Sequence, residues 1–201
     1  MALSAVALLA ALALGIIVGT AAATGLRAAR VAAAIYVEGA RNIPLLIHMY
    51  FWYMALSFLR LPAFTCAVLG LAIYSGAYVA EVVRSGINSI PRGQTQAALA
   101  TGLTRVQALR LVIYPQALRI VAPSLASLFS QLIKDSSLAS VIAVADLAYQ
   151  ASAIEGETFR TFEVYITISL LYIALVTLAS RAVLLLPGVR GGAVTDRIAD
   201  A

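Results

Sequence analysis

SGINSIPRGQTQAALATGLTRVQALRLVIYPQALR, Ser85 to Arg119, is the longest interruption between the apolar segments of this chain. Arg84, Arg92, Arg105, Arg110 and Arg119 lie in or beside it. It reads as two short helices joined by a turn. Pro91 suits a first-turn position, with Ser89 as N-cap before it. Gly102 fits the left-handed position just past a helix end. Thr104 then opens a second helix, and Gln107 stands at capping-box spacing from it. Pro115 is expected to bend or end that helix, because it removes a backbone donor. From Gln94 to Gly102 the side chains are small or uncharged. Such a helix buries little by itself and is suited to docking into a groove on another protein.

The flanks of this stretch set the class. Of 201 residues, 62% are hydrophobic and 11% charged, against about 25% charged in soluble domains. The chain therefore reads as an all-α polytopic membrane protein, one bundle rather than several domains. The net charge of +5 does not imply nucleic acid, because the arginines sit in short loops between apolar spans. Cys66 is single and lies in an apolar span, so it reads as a small buried residue. His48 lies in another span and reads as a hydrogen-bonded packing residue. No catalytic residue and no metal site is expected: there is no P-loop, G-x-S-x-G, H-E-x-x-H or cysteine cluster.

A spanning helix needs about 20 apolar residues, and about five are expected. The first runs from Leu3 to Ala23. It lacks a positive n-region and is longer than a signal peptide's apolar core, although Ala21-Ala22-Ala23 looks cleavable; a retained helix is the favoured reading. Gly15 and Gly19 give it a face for close helix approach. Val31–Tyr36 reads as an amphipathic interfacial piece or as an extension into the next span. The second span is placed at Pro44–Leu59, with the aromatic run Tyr50-Phe51-Trp52-Tyr53, and Arg60 and Pro62 break it. The third is Ala63–Val83. After the interruption come a fourth at Ala117–Ile133, a short apolar helix at Leu138–Tyr149, and a fifth at Glu163–Leu186. Residues 1–186 thus form the transmembrane domain, with the loop at 85–119, and 187–201 form a short tail, disordered or lightly docked.

Charge sets the orientation. With five spans, Arg27, Arg30, Arg41, Arg84, Arg92, Arg105, Arg110, Arg119, Arg181, Arg190 and Arg197 share one side, and Arg60, Lys134 and Arg160 the other. The Lys/Arg rule makes the first side cytoplasmic. The N-terminus is then outside, and the 85–119 loop and the C-terminus are cytoplasmic.

Gln96-Ala97-Ala98, then Gly102, then Val112-Ile113-Tyr114-Pro115 resembles the EAA loop of bacterial ABC importer permeases, written E-A-A, G, I-x-L-P. Gln96 stands for the Glu and Tyr114 for the Leu; the Ala-Ala-Gly helix-turn is intact. YVEGARNIPLL upstream, YVAEVVRSGINSIPRGQ before the loop and LIKDSSLASVIAVADL after it are similar to the polar amino-acid (His/Glu/Gln/Arg/opine) subfamily of binding-protein-dependent importers. The resemblance runs from about Tyr36 to Leu186, and the family usually has more residues ahead of the first span. It implies a type I ABC importer permease fold in the bacterial inner membrane. Arg92, Gly93, Gln96, Ala97, Ala98, Gly102 and Pro115 would form the ATPase-coupling loop. The implied partners are a cytoplasmic ABC ATPase dimer, an identical or homologous second permease subunit, an extracytoplasmic solute-binding protein and membrane lipid. The chain itself would bind no cofactor and catalyse nothing, ATP and Mg belonging to the partner ATPase.

Two further groups stand out. Lys134, Asp135, Ser136 and Ser137 end the fourth span; they are candidates for an external gate or translocation path, or an ion pair fixing the next turn. Glu81 and Arg84 have the spacing of a structural ion pair within a helix. Arg41, before Pro44, is expected to meet a neighbouring subunit or lipid headgroups, with headgroups the favoured reading. The rival functional reading is an autonomous ion-gradient-driven secondary transporter or channel. It would need ionisable groups near the bilayer midplane and usually an internal repeat; no repeat is visible, and the charges lie near span ends. A scaffold with no transport role would make the ordered motifs a coincidence.

Overall fold

The computed structural model describes residues 1–23 and 27–184. The chain runs through α1 (Ala2–Ala23), α2 (Arg27–Asn42), α3 (Leu45–Tyr50), a π-helical turn (Phe51–Ala55) and a 3-10 turn (Ser57–Leu59). Next come α4 (Ala63–Ser89), α5 (Arg92–Ala100) and α6 (Arg105–Ala108). A second π-helical turn (Leu109–Ile113) leads into α7 (Tyr114–Asp135), followed by a 3-10 stretch (Ser136–Ile142), α8 (Leu147–Thr158) and α9 (Thr161–Leu184). There is no strand among the described residues.

α4 is the hub, because small residues let its neighbours approach. Cys66, Ala67, Gly70, Gly76, Ala77, Ala80 and Gly86 are buried along it. A Cβ added at Gly15 of α1 would lie 2.4 Å from Val79 Cγ1, and one at Gly19 would lie 2.5 Å from the Ala80 carbonyl oxygen. Packing rather than hydrophobic expulsion holds helices together in lipid, so these seats tie α1 to α4. On the other side a Cβ at Gly86 would meet Val121 of α7 at 2.4 Å. α9 is outermost, with Ile166, Leu170, Ile173 and Leu178 exposed.

These contacts also fix direction. Gly15 meets Gly76 and Val79, and Gly19 meets Ala80 and Val83, so α1 and α4 run parallel. Gly86 meets Ala117 and Val121, and Ser4 reaches Ser136, so α7 runs against both. Two parallel helices in sequence require the chain to return between them. Residues 27–62 make that return, which supplies the fifth crossing.

The return is not the straight second span expected at Pro44–Leu59. Four helical stretches are long and apolar enough to cross a membrane: Ala2–Ala23, Ala63–Ser89, Arg105–Ile142 and Thr161–Arg181. Leu45–Ala55 is shorter; at 1.5 Å per residue it covers about 16 Å, half of the hydrocarbon core. Helix is already established at Arg27 and breaks at Ile43 and Pro44, where a proline biases its predecessor out of helical geometry. Val31–Tyr36 is accordingly no interfacial piece: the Tyr36 hydroxyl donates to the Ile73 carbonyl at 2.7 Å, well inside α4. The aromatic run divides, with Tyr50, Trp52 and Tyr53 against the core and Phe51 exposed.

Other boundaries shift for local reasons. The apolar stretch at Leu138–Tyr149 is no single helix. It is 3-10 to Ile142, turns at Ala143 with φ 59, and restarts as α8 when the Asp146 carboxylate accepts from the Tyr149 amide at 2.8 Å. The polar stretch after Ile154 stays helical to Thr158. The other expected spans match α1, α4, α7 and α9 within a few residues at each end, except that α4 runs six residues past Val83 to Ser89. Cys66 is buried and His48 is bonded through Nε2 to the Ala40 carbonyl at 3.1 Å, as expected of packing residues. The expected C-terminal stop, Pro187-Gly188, and the tail lie outside the described residues, as do Arg190 and Arg197.

Candidate functional site

The loop between α4 and α7 folds as a small independent structure at one end of the bundle. Ser89 does not cap α5: its hydroxyl donates back to the Gly86 carbonyl at 2.8 Å and closes α4. Pro91 occupies the cap position itself. α5 ends in a full left-handed cap. Gly102 has φ +88, its amide donates to Leu99 O at 3.0 Å, and Leu103 N donates to Ala98 O at 3.3 Å, the paired bonds of a Schellman motif. Thr104 then caps α6 in a complete capping box with Gln107, at 3.3 and 2.9 Å. Pro115 does not end the helix. It is the second residue of α7, directly after the π-helical turn, where the altered bonding register accommodates the missing donor.

α5 is seated by one residue. Ala98 is buried, beside a small cluster of Ile90, Ile113 and Ala117 backed by Ile87, Leu109 and Val112. Arg92, Gly93, Gln96, Ala97 and Gly102 face outward, exposed. The two glycines have different reasons to be glycine. Gly102 is required by its backbone angle. A Cβ at Gly93 would meet nothing within 4 Å, so nothing in this chain demands the missing side chain. No acidic residue occurs between Ser85 and Arg119, and Arg92, Arg105, Arg110 and Arg119 are all exposed, leaving the loop with a cationic surface.

Between α4 and α7 the structure assembles a partly exposed polar track, of which the sequence pointed only to Asp135. Tyr74, Ser75 and Tyr78 of α4 face Leu128, Gln131, Leu132 and Asp135 of α7 across a cavity of about 240 Å³. Gln131 Nε2 donates to Asp135 Oδ1 at 2.7 Å, and the Tyr74 and Tyr78 hydroxyls are 3.3 Å apart. The Arg41 guanidinium lies 4.9 Å from the Tyr78 ring centre, a cation–π contact rather than the expected headgroup contact. It therefore stands beside the middle of α4, not at a span end. A second, separate cleft, of about 330 Å³, lies nearer the loop end between α1, α2 and α4, and Arg30, Glu38, Arg41, Glu81 and Arg84 line it. Glu81 and Arg84 form the expected ion pair, bonded at 2.5 and 3.2 Å. The available signal was spacing: Tyr74/Tyr78 and Gln131/Asp135 are each four apart, so each pair shares a helix face.

The four residues grouped at the end of the fourth span do not form one site. Asp135 lines the cavity and Lys134 is exposed. Ser136 is buried and accepts from Ser4 of α1 at 3.0 Å, while Ser137 donates back to Lys134 O at 2.7 Å. Among the described residues no cluster of His, Cys, Asp and Glu could hold a metal.

A helical bundle that crosses the membrane, with an exposed loop at one end and a polar track between α4 and α7, is the build of a multi-pass membrane protein. The family model described as binding-protein-dependent transport system inner membrane component matches residues 2–187. The chain belongs to that family, as a type I ABC importer permease of the polar amino-acid subfamily. It is 43% identical over 142 residues to the probable glutamine ABC transporter permease protein GlnM of Bacillus subtilis, covering 70% of this chain and 66% of that one. It is 35% identical over 180 residues to the glutamate/aspartate import permease protein GltJ of Escherichia coli K12, covering 79% of this chain and 73% of that one. The chain thus spans about two thirds to three quarters of these relatives' length. Among solved structures it superposes on an amino acid ABC transporter with histidines, with TM-score 0.81, 36% identity, and coverage of 91% of this chain and 86% of that one. It shares its fold with the MetNI methionine ABC transporter in an inward-facing conformation, with TM-score 0.77, 22% identity, and coverage of 90% and 88%.

Proposed function

We propose that this chain is the multi-pass inner-membrane subunit that forms the path for polar amino acids or related compounds such as opines, and that α5 couples it to a separate cytoplasmic ATPase dimer. The observation that carries this reading is the construction of the α5 loop. It is seated by Ala98, angled by Gly102 and the Thr104–Gln107 box, and left with small and cationic side chains outward. A helix fixed at its C-terminal end yet exposed on its outer face is a lever awaiting a partner. ATP, Mg²⁺ and hydrolysis belong to that partner in this reading, and the chain is not itself an enzyme. Closure of two ATPase subunits would displace α5 as a rigid body, and α7 would carry the displacement into the bundle.

The solute would pass along the track of Tyr74, Tyr78, Gln131 and Asp135, whose hydroxyl, amide and carboxylate groups can replace water around a zwitterion. A second permease subunit, identical or homologous, would complete the path across a two-fold axis, and an extracytoplasmic binding protein would deliver the solute. Excess arginine at the α5 end supports a cytoplasmic loop and C-terminus, with the N-terminus outside. The test is a gentle pull-down of the tagged chain from its native membrane, with partners identified by mass spectrometry. Recovery of a P-loop ATPase supports the reading. Recovery of the chain alone, under conditions that keep other such complexes intact, overturns it.

A further inference from the structure

α1 is fixed to α4 along its length, through the glycine seats at Gly15 and Gly19. Its connection to α7 is different in kind: a hydroxyl pair joins the two helices at each end. At the outer end Ser4 Oγ donates to Ser136 Oγ at 3.0 Å, both residues buried. At the loop end Thr20 Oγ1 pairs with the Tyr114 hydroxyl. The donors can be assigned. Thr20 gives its own hydrogen to Ile16 O at 2.5 Å, so the Tyr114 hydroxyl is the donor of the shared bond. Ser136 likewise gives its hydrogen to Ile133 O at 2.8 Å and accepts from Ser4. Tyr114 is the first residue of α7 and directly follows the π-helical turn leaving the loop. Any displacement of α5 and α6 therefore arrives at Tyr114 before it reaches the rest of α7.

We propose that the Tyr114–Thr20 hydroxyl pair is a latch that holds the start of α7 to α1 in the resting state, beside the Gly86–Val121 seat that joins α7 to α4, and must open when the loop drives α7. This rests on the coupling role of α5 proposed above. The latch is polar and directional, so it is made or broken over a small movement. It makes Tyr114 a positioning residue for transport, at the position where the loop motif otherwise carries leucine, a side chain with no hydroxyl to donate.

Tyr114→Phe is a clean test, because it removes the donor while Thr20 keeps its bond to Ile16 and no buried donor is stranded. The chain and its co-purified ATPase are reconstituted in liposomes, and ATP hydrolysis per complex is measured without binding protein or solute. Weakening an interhelical hydrogen bond in lipid should shift the resting equilibrium about three- to tenfold. Basal hydrolysis should rise by that factor in Tyr114→Phe and Thr20→Val. The double variant should rise no further than either single one, as expected for one shared contact. Thr20→Ser, which keeps the hydroxyl, should behave as wild type. A merely structural role would lower yield or melting temperature, not raise turnover per assembled complex. A basal rate in Tyr114→Phe below or within about twofold of wild type, or single effects that multiply in the double variant, would overturn the latch. Failure of the wild-type chain to hold an ATPase at all would overturn the coupling reading and the latch with it.

Discussion

Replacing Gly102 with alanine tests whether the α5 lever is set by one backbone angle. Gly102 sits at φ +88, and a Cβ there would meet nothing within 4 Å. The cost is therefore conformational, about 1–2 kcal/mol for an L-residue held in left-handed geometry. The chain relieves it by opening the cap bonds Gly102 N to Leu99 O and Leu103 N to Ala98 O, which frees the angle between α5 and α6. That free energy corresponds to about a 5- to 30-fold shift away from the docked geometry. Binding of the purified ATPase to the chain in nanodiscs should weaken by that factor. The melting temperature of the bundle should hardly change, because the loop is exposed and α5 buries only Ala98. Gly93→Ala is the internal comparison. Gly93 is helical with open space around it, so alanine there is neutral or favours the helix by up to about 1 kcal/mol. Unchanged ATPase affinity in Gly102→Ala would refute the argument that the left-handed cap aims the lever.

Gly15→Ala should destabilise the purified chain by about 1–3 kcal/mol, as overpacking does, since its Cβ would press on Val79 at 2.4 Å; Gly39→Ala, with open space, should not, and thermal unfolding compares the two. Burial raises the Asp146 carboxyl above its ordinary value, and its Oδ2 has no partner among the described residues. The ionised form is thus disfavoured in the fold, and stability falls as pH rises from about 4, the unfolded value, through the raised folded one. Asp146→Asn keeps the acceptor to Tyr149; its melting temperature should exceed that of wild type at pH 7 and the gap should close toward pH 4, while an equal or lower value at pH 7 would count against the argument. Lys134→Ala should leave ATPase co-purification intact whatever it does to uptake, because Lys134 lies at the far end of α7 from the loop; release of the ATPase would contradict the topology. Gln96→Glu should retain the ATPase and transport, since Gln96 is exposed and its side chain bonds to none of the described residues; loss of assembly would show a partner surface matched to the neutral amide.

Sequence alone determined what local chemistry can encode. Apolar runs of sufficient length marked α1, α4, α7 and α9, because a helix must satisfy its own backbone bonds in lipid. The turn of the loop was legible, because a positive-φ glycine and a Thr-x-x-Gln box act through the backbone within four residues, whereas Ser89 and Pro115 took roles other than those expected. The Glu81–Arg84 pair is equally local. The tertiary structure decided everything that depends on which helix faces which. Arg41 looked like a headgroup contact and instead lies over Tyr78. Asp135 and Ser136 are neighbours in sequence, yet adjacent helical positions point about 100° apart, so one lines the polar track and the other binds α1. The return crossing was misjudged because Arg27–Asn42 is polar by composition. Its place inside the bundle comes from α4, whose glycine and alanine face lets a hydroxyl such as that of Tyr36 reach a backbone carbonyl. Hydropathy averages along one helix, whereas that bond exists only between two.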